Sequence, residues 1–536
     1  MTTTIFRNGS LFDGRRYRGQ VGAVVVTDGV IAAVVENPDA PLPEGQIVDL
    51  AGGLLLPGFI DAHVHPVQGG LERVRCDLTG AHARADYLAV VASYAAAHPD
   101  EPWILGGGWS MEAFPGGTPL ASDLDAVVPD RPVFLPNRDH HGAWVNSRAL
   151  ELVDSTTDPA DGRFERDADG RPTGTVHEGA MHLFEEVLPP TTDADLHRGL
   201  RAGQEYLHSL GVTSWQDAII GQYSGIVDPG PAYRAASASG ELVSDVVGAL
   251  WWDRTRGIEQ VSELVEKRAA YSEGRFRATS VKIMADGVLE NFTAAMQSPY
   301  LDRCGHATTN YGMPFVGPQA FADAVAALDA EGFQVHVHAI GDAAAHNALG
   351  AFAALADPRR GRHHIAHLQV VDPADIARFA ALGVSANMQQ LWACAEEQMV
   401  DLTLPFIGEE RARWQYPFGD LMRAGAHLCA GSDWPVSTPD PWAAIHVGVT
   451  RLAPDEGSEP FLPEQALTLQ QSLAAYTSGS AWINGREGDL GQVAPGFVAD
   501  LVVTDRDPFA EPLTEIKDTR TLSTWIGGVP VYRVSG

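Results

Sequence analysis

Lysine is scarce in this 536-residue chain. Only three lysines, at positions 267, 282 and 517, are present against 34 arginines. Acidic residues outnumber basic residues 69 to 37, which gives a formal net charge of −32. Such a chain has no room for a large basic patch, which argues against a nucleic-acid partner and against docking on anionic membranes. Beyond solubility, the acidity predicts no function of its own.

Cysteine and long apolar runs are also scarce. The four cysteines are scattered without CxxC spacing, at positions 76, 304, 394 and 429, which indicates free thiols in a reducing compartment. The sequence contains no run of 18 apolar residues, so no transmembrane helix is predicted. The N-terminus lacks the basic and apolar regions of a secretory signal. We therefore expect a cytoplasmic protein, and its length predicts two or three compact units.

The chain alternates between two kinds of sequence pattern. Both ends consist of short β-like runs broken at glycine, aspartate and proline, whereas the middle alternates apolar strands with alanine-rich helices. We predict an α/β fold, with a TIM (β/α)8 barrel over residues 60–484 and a small β-sandwich formed from residues 1–59 and 485–536. A barrel needs about 250 residues, so the excess at about 72–185 predicts an inserted subdomain over the barrel mouth.

Five separated apolar runs end in side chains that bind metals. These side chains are His63 and His65, Lys282, His338, His367 and Asp433. A strand alternates faces with period two, so His63 and His65 project from the same side. If each run is a barrel strand, all six side chains come from C-terminal strand ends and can converge. Imidazole and carboxylate ligands suit zinc-like divalent metals, and an open coordination position generates hydroxide at neutral pH.

Lys282 is the most informative of these residues. The other two lysines lie in charged, helix-like or loop-like surroundings, whereas Lys282 sits between Val281 and Ile283 in a short apolar run. Burial lowers the pKa of a lysine and leaves a neutral, nucleophilic amine. The alternative is a buried structural lysine paired with Asp286 or Asp342.

The order and spacing of these residues resemble the amidohydrolase superfamily of metal-dependent hydrolases. The pattern from Gly488 to Val503 is similar to the closing segment of that superfamily. Further motifs resemble the subgroup that includes N-substituted formamide deformylase: GGGWS (106–110), RPVFLPNRDHHGAWVNSRAL (131–150), DGRPTGTVHEGA (169–180) and KIMADGVLENFTAAM (282–296). The resemblance covers nearly the whole chain.

The resemblance implies a role for each of the six side chains. His63, His65 and Asp433 would hold one metal, and Lys282 (as a carbamate), His338 and His367 a second, with zinc expected. Asp433 would be the general base, and Lys282 and His367 would take part in catalysis through the metals. The implied reaction is hydrolysis of a non-peptide C–N bond of a small molecule by metal-activated hydroxide.

Other functions remain open at the same site. A cyclic amide, a lactone or a phosphoester could be the substrate instead, and some relatives keep the barrel as a non-catalytic binding module. The only partner that we expect is a small-molecule substrate, without nucleic acid or membrane, and a homodimer stays open.

Five further residues are expected where loops or strand ends face the substrate, with packing or capping as the equal alternative: Trp109, His141, Gln216, Asp286 and Gln389. His140 departs from the family's Asp-Gly-His pattern and adds an imidazole near the mouth. His336 shares the face of His338 and is expected deeper in the barrel, packed or bonded to a ligand. The remaining helical-looking histidines are expected on the solvated surface, at 82, 98, 182, 197 and 208.

Overall fold

Strands and helices alternate along the middle of the chain, between two ends built of strands. A computed structural model describes residues 2–223, 227–454 and 459–534. Its strands are β1 Thr3–Arg7, β2 Ser10–Phe12, β3 Tyr17–Gln20, β4 Ala23–Thr27, β5 Val30–Val35, β6 Gln46–Asp49, β7 Leu54–Pro57, β8 Phe59–Val64, β9 Cys76–Asp77, β10 Ile104–Gly107, β11 Val133–Pro136, β12 Gly142–Val145, β13 Gly162–Arg166, β14 Pro172–Glu178, β15 Val212–Ile220, β16 Asp245–Trp251, β17 Phe276–Met284, β18 Gln334–Ala339, β19 His364–His367, β20 Ser385–Met388, β21 Leu428–Ala430, β22 Leu501–Thr504, β23 Thr521–Ile526 and β24 Val529–Arg533.

The helices fall mainly between the strands of the middle region. They are α1 Pro66–Val74, α2 Arg84–Ala97, α3 Ala121–Val127, α4 Ser147–Leu150, α5 Asp193–Ser209, α6 Gly230–Ser239, α7 Val261–Tyr271, α8 Pro318–Ala330, α9 Asp342–Ala353, α10 Ile376–Leu382, α11 Glu397–Leu402, α12 Leu404–Ala412, α13 Phe418–Arg423, α14 Pro441–Thr450, α15 Leu469–Ala474 and α16 Ser480–Ile483. Within the described ranges, none of them has both the length and the apolar character needed to cross a bilayer.

Eight parallel strands form the central barrel, in the order β8, β15, β16, β17, β18, β19, β20 and β21. The barrel closes where the segment after β21 returns to β8, because the Asp433 N–H donates to the His63 carbonyl at 2.7 Å; from β20, Asn387 Nδ2 also donates to the Ala62 carbonyl of β8 at 2.9 Å. All six residues of β8 are buried, as expected for parallel strands covered on both faces. The predicted TIM barrel is confirmed.

Two further sheets, built from both ends of the chain, form the β-sandwich. One sheet has the order β5, β4, β1, β6 and the other the order β24, β23, β22, β7, β2, β3. Antiparallel pairing of β22 with β7 joins the C-terminal strands to the N-terminal ones. Apolar side chains from both ends share one core, among them Phe6, Leu55, Leu501 and Trp525. A single residue separates β7 from β8, so the sandwich passes directly into the barrel.

A six-stranded sheet in the order β13, β14, β12, β11, β10, β9 fills the insertion between α1 and α5. Its strands β11 and β12 pair antiparallel, and residues 137–141, which we call the mouth hairpin, connect them over the barrel mouth. The predicted inserted subdomain is therefore present at the C-terminal face of the barrel.

Helices α1 and α5, which lead into and out of the insertion, cross at close range. A Cβ at Gly70 would lie 1.9 Å from the Gly199 carbonyl oxygen, and one at Gly203 would lie 2.3 Å from the Pro66 carbonyl oxygen. Only glycine allows two helix backbones to approach so closely. This crossing places the start of α1, directly after His65, on a rigid support.

Candidate metal centre

All six predicted ligand side chains meet at the C-terminal face of the barrel. They belong to the ends of β8, β17, β18 and β19 and to the segments just after β8 and β21. All six are at most 8 % exposed. They line one cavity of about 570 Å³. The barrel topology therefore joins residues that are far apart in sequence, as the strand-end argument predicts.

His63, His65 and Asp433 form the tightest group. Asp433 Oδ1 lies 2.9 Å from His65 Nε2 and 3.2 Å from His63 Nε2. One ligand atom from each of the three lies within 4.8 Å of the others. Two imidazole nitrogens and a carboxylate oxygen are a donor set typical of zinc. These three residues therefore fit a divalent metal.

Lys282, His338 and His367 adjoin that group but are arranged more openly. Lys282 Nζ lies 3.3 Å from His63 Nε2, and His367 Nδ1 lies 3.7 Å from Asp433 Oδ2. The rings of His338 and His367 are 4.5 Å apart between centroids. His338 Nε2 donates to the Gly287 carbonyl at 3.2 Å. The two groups are therefore adjacent, and they meet where Lys282 approaches His63 and His367 approaches Asp433.

Burial sets the protonation states of these groups. It lowers the pKa of Lys282 to about 8 and, with the charge of Lys282, lowers that of His63 to about 3. Burial opposes ionisation of Asp433, but its electrostatic interaction and hydrogen bond with His63, together with the hydrogen bond from His65, hold its pKa well below its usual value. Neutral imidazoles and an ionised carboxylate are the metal-binding forms. An uncharged lysine is the form that reacts with carbon dioxide.

Two residues outside the predicted ligand set hold His63 in place. His336 Nε2 lies 2.8 Å from His63 Nδ1, which leaves His63 Nε2 to face the centre. The expectation for His336 is confirmed. The Asp61 carboxylate accepts from the His63 N–H at 3.0 Å and from the Ser432 hydroxyl at 2.6 Å. Asp61 thus ties the strand that carries the two histidines to the segment that carries Asp433.

Backbone strain is concentrated at this cavity. His367 has φ 77°, Asp433 has φ 57° and His140 has φ 61°, all in the left-handed region. Side chains other than glycine rarely adopt this conformation, and it persists where the surroundings enforce it, above all at functional sites. The strain is independent support for reading the cavity as the functional site.

Two of the five expected substrate contacts, Trp109 and Gln216, lie away from the cavity and take the packing role that the sequence left as the alternative. Trp109 is 1 % exposed within the apolar core of the insertion, where its Nε1 donates to the Leu135 carbonyl at 2.7 Å. Gln216 lies in the middle of β15 rather than at its end. Its Nε2 donates to Gln334 Oε1 at 2.9 Å and to Asn484 Oδ1 at 3.2 Å.

Asp286 and Gln389 are buried outside the lining of the cavity, and both take the packing role that the sequence left as the alternative. Gln389 Oε1 accepts from the His367 N–H at 2.8 Å. Burial raises the pKa of Asp286 to about 7, and its carboxylate accepts from three main-chain N–H groups, those of Ala295, Ile340 and Gly341. Both side chains therefore fix the backbone around the metal-site histidines.

His141 does line the cavity, and it has partners that the sequence did not indicate. Its Nδ1 lies 3.0 Å from both carboxylate oxygens of Glu178, which also accepts from Thr293 Oγ1 at 2.8 Å. Its ring is 5.8 Å from that of His338. Burial lowers the pKa of His141, but the charge and hydrogen bond of Glu178 outweigh it and raise the pKa to about 9. The protonated form of His141 is therefore favoured by Glu178, beside the candidate metal centre.

The position of His208 differs from the expected one, and Trp392 was not indicated by the sequence. His208 is 4 % exposed and bonds Ser244 Oγ at 2.9 Å, so the predicted surface position is wrong because α5 turns this face toward the barrel. Trp392 stacks on His367 with centroids 5.3 Å apart and planes at 6°. The sequence showed no pattern that pointed to Trp392.

The barrel, its terminal sandwich and the position of these six side chains define the amidohydrolase class of TIM-barrel proteins. The sequence model of the Amidohydrolase family matches residues 46–532, and the chain belongs to that family. Membership in this family supports hydrolase activity.

Two curated relatives match almost the whole chain. The protein YtcJ of Bacillus subtilis (strain 168), named as an amidohydrolase, is 28 % identical over 99 % of both chains. The N-substituted formamide deformylase of Arthrobacter pascens is 26 % identical over 96 % of this chain and 95 % of its own. Among solved structures, an uncharacterized metal-dependent hydrolase from Pyrococcus horikoshii OT3 superposes with a TM-score of 0.73 at 26 % identity, covering 96 % of this chain and 99 % of that one.

Proposed function

We propose that this protein is a metal-dependent hydrolase that cleaves a non-peptide, amide-type C–N bond of a small molecule. The observation that carries the proposal is the convergence of His63, His65 and Asp433 in a cavity large enough for a small substrate. The similarity to an N-substituted formamide deformylase supports a linear amide. A cytoplasmic enzyme without nucleic-acid or membrane partners fits its composition, and a homodimer remains open.

The side chains are suited to two divalent metals. His63, His65 and Asp433 would hold the first, and His338, His367 and the carbamate of Lys282 would hold the second. The buried His367 Nδ1, on the side of Asp433, has no hydrogen-bond partner among the described residues, as expected of a site whose hydrogen bonds are completed by a ligand. Bound zinc supplies a water of lowered pKa and polarises a substrate carbonyl.

Asp433 is the proton carrier in this proposal. Its Oδ1 lies between His63 and His65, while its Oδ2 faces His367. The carboxylate is ionised throughout the neutral range, because its pKa is held low. It would accept the proton of the attacking water and pass it to the nitrogen of the departing amine.

His141 would bind the substrate from the opposite wall. Glu178 holds its Nδ1, which leaves Nε2 to donate to the carbonyl oxygen of an amide. Trp392, Trp434 and Leu391 also line the cavity, and they suit an apolar substituent on the amide. A site that combines a few placed polar groups with apolar walls is typical of small-molecule enzymes.

The test is a hydrolysis panel with controlled metal content. Protein loaded with zinc is assayed on N-substituted formamides, other N-acyl amines, cyclic amides, lactones and phosphoesters, before and after chelation. We expect the highest kcat/KM on linear amides and recovery of activity when zinc is returned. Faster turnover of lactones or phosphoesters would replace the proposed substrate class, and zinc-loaded protein that turns over none of the panel would favour a binding module.

A further inference from the structure

His140, at the tip of the mouth hairpin, contacts two side chains of the helix that follows the metal-site strand. Its Nδ1 lies 2.8 Å from Gln68 Nε2, and its Nε2 lies 3.4 Å from Glu72 Oε1. Gln68 and Glu72 stand one turn apart on α1 and so share a face. Because α1 begins directly after His65, the contact joins the insertion to the metal-site segment of the barrel.

The backbone conformation of His140 indicates that its contact with Gln68 and Glu72 requires a specific geometry. His140 has φ 61° and is 6 % exposed. Glycine would occupy that backbone conformation without strain. A strained, buried imidazole persists only where its surroundings enforce it, and here the surroundings are Gln68 and Glu72.

The polar atoms of the cluster form one consistent network. The amide of Gln68 donates to His140 Nδ1 at 2.8 Å, which leaves the ring proton on His140 Nε2, 3.4 Å from Glu72 Oε1. Glu72 Oε2 is buried and has no hydrogen-bond partner in the part of the chain that the structure describes, and Gln68 Nε2 also lies 3.4 Å from Glu72 Oε1. Every member of the network thus belongs either to α1 or to the mouth hairpin.

The neighbouring residue, His141, is held from the other side. Its carbonyl accepts from the Glu178 N–H at 3.0 Å and from Asn291 Nδ2 at 3.1 Å, and its ring bonds the Glu178 carboxylate. Two consecutive histidines therefore anchor the mouth hairpin in opposite directions, one to α1 and one to β14.

We propose that His140 is a positioning residue: with Gln68 and Glu72 it clamps the mouth hairpin onto α1, and the clamp holds His141 in place beside the metal centre. In this proposal His140 acts through His141 and not by direct contact with the substrate. The proposal rests on the proposed function only in that His141 contacts the substrate. The clamp itself is a property of the free protein and can be tested without a substrate.

Two substitutions separate the clamp from the backbone strain. His140→Gly removes the imidazole and relieves the strained φ, so the chain can fold without the clamp. His140→Asn keeps groups that can accept from Gln68 and donate to Glu72, and asparagine tolerates the left-handed region. Ala51→Gly is the matched control, because Ala51 is an exposed residue of the sandwich with φ 49°.

The first measurement is amide hydrogen exchange in the zinc-loaded protein. In His140→Gly we expect exchange at residues 133–145 to speed up by about tenfold or more, since the local opening free energy falls, with unchanged exchange in the barrel strands and unchanged metal content. His140→Asn should restore slow exchange, and Ala51→Gly should leave the hairpin unaffected. Unchanged exchange at the hairpin in His140→Gly overturns the clamp, whether or not a substrate is known.

The second measurement is kinetic, on whichever substrate of the panel is turned over. His140→Gly should lower kcat/KM by roughly 10- to 100-fold, the effect of misplacing a substrate-positioning group by about 1 Å, mainly through KM. His140→Asn should recover most of that loss. Gln68→Ala combined with His140→Gly should be no worse than His140→Gly alone, because both remove one interaction. Additive losses, or a His140→Asn variant as impaired as His140→Gly, overturn the proposal.

Discussion

Lys282 is the residue whose chemistry depends most on its surroundings. Buried in β17 next to His63, it has a pKa of about 8, so an uncharged fraction is available near neutral pH. Replacing Lys282 with alanine should remove at least one metal and abolish turnover, as measured by elemental analysis and assay. Short carboxylic acids should restore part of the activity by occupying the position of the carbamate.

The control for that variant is Lys517→Ala, which changes a surface lysine whose Nζ lies 3.8 Å from Asp518. It should keep both metals and the full rate. A Lys282→Ala protein with the same metal content and rate as this control would show that Lys282 is only a buried structural lysine.

Substitution of Asp433 distinguishes a role in proton transfer from a purely structural role in its turn. Asparagine tolerates its left-handed conformation, so Asp433→Asn should fold normally and keep part of its metal. We expect kcat to fall by a factor on the order of 10² or more, the usual range for loss of a general base, with a smaller change in KM.

Asp440→Asn provides the comparison at a purely structural aspartate. Asp440 caps α14 and accepts from the Trp442 N–H at 2.9 Å, and asparagine caps equally well, so this variant should be silent. If Asp433→Asn is equally silent, Asp433 takes no part in the proton transfer.

Glu72 gives the clamp a pH signature. Burial raises its pKa from 4.5 to about 8, against the Gln68 hydrogen bond and the charge of Arg75, with Asp77 adding to the rise. His140 is its other polar neighbour. Because the folded state binds this proton more tightly than the unfolded state, its contribution to the free energy of unfolding is largest below about pH 4.5 and is lost as the pH rises to about 8.

Glu72→Gln removes that titration while keeping an oxygen that can accept from His140. Between pH 5.5 and 8.5, urea unfolding should show a smaller fall in stability for the variant than for the unchanged protein, by an amount on the order of a kcal/mol or more. Parallel stability profiles for the two proteins would mean that Glu72 titrates alike when folded and unfolded.

At the scale of elements, the crossing of α1 and α5 controls both the clamp and the metal site. A Cβ at Gly199 would lie 2.7 Å from the Val67 carbonyl oxygen, so Gly199→Ala forces the helices apart and should cost about 1–3 kcal/mol of stability. Since α1 carries Gln68 and Glu72, faster exchange at the mouth hairpin should accompany the loss.

The matching control is Gly350→Ala in α9, where an added Cβ meets nothing closer than 4.0 Å. Alanine is the better helix former by about 1 kcal/mol, so thermal or urea unfolding should show an equal or higher stability. Equal stability of Gly199→Ala and Gly350→Ala would mean that α1 and α5 accommodate the added Cβ without strain.

At the scale of the whole molecule, the metals should link the barrel strands that supply their ligands. Binding to the folded state alone stabilises a protein, by about 2.7 kcal/mol at a ligand concentration of 100 Kd. We expect close to two zinc ions per chain and a melting temperature that falls on chelation and returns with zinc. A single ion with full activity would contradict the binuclear arrangement, and equal melting temperatures with and without zinc would contradict the proposed ligand set.

The sequence by itself determined the barrel, the composite sandwich and the approximate place of the insertion. These follow from local patterns: period-two alternation at His63 and His65, apolar runs followed by polar ends, and turn residues between short strands. It also singled out Lys282, because one rare residue in an apolar run is a strong local signal. Local periodicity depends only on residues that are close in sequence, so it can be recognised before any tertiary contact is known.

The tertiary structure alone decided which side chains meet. Glu178 lies 37 positions from His141 and Glu72 lies on a different element from His140, so no local spacing pairs them. Trp109 was expected at the substrate because its motif reads as a loop, yet packing turns its side chain into the core of the insertion. Pairing across a barrel mouth depends on how strands and insertion are folded together, and that information is absent from any single segment.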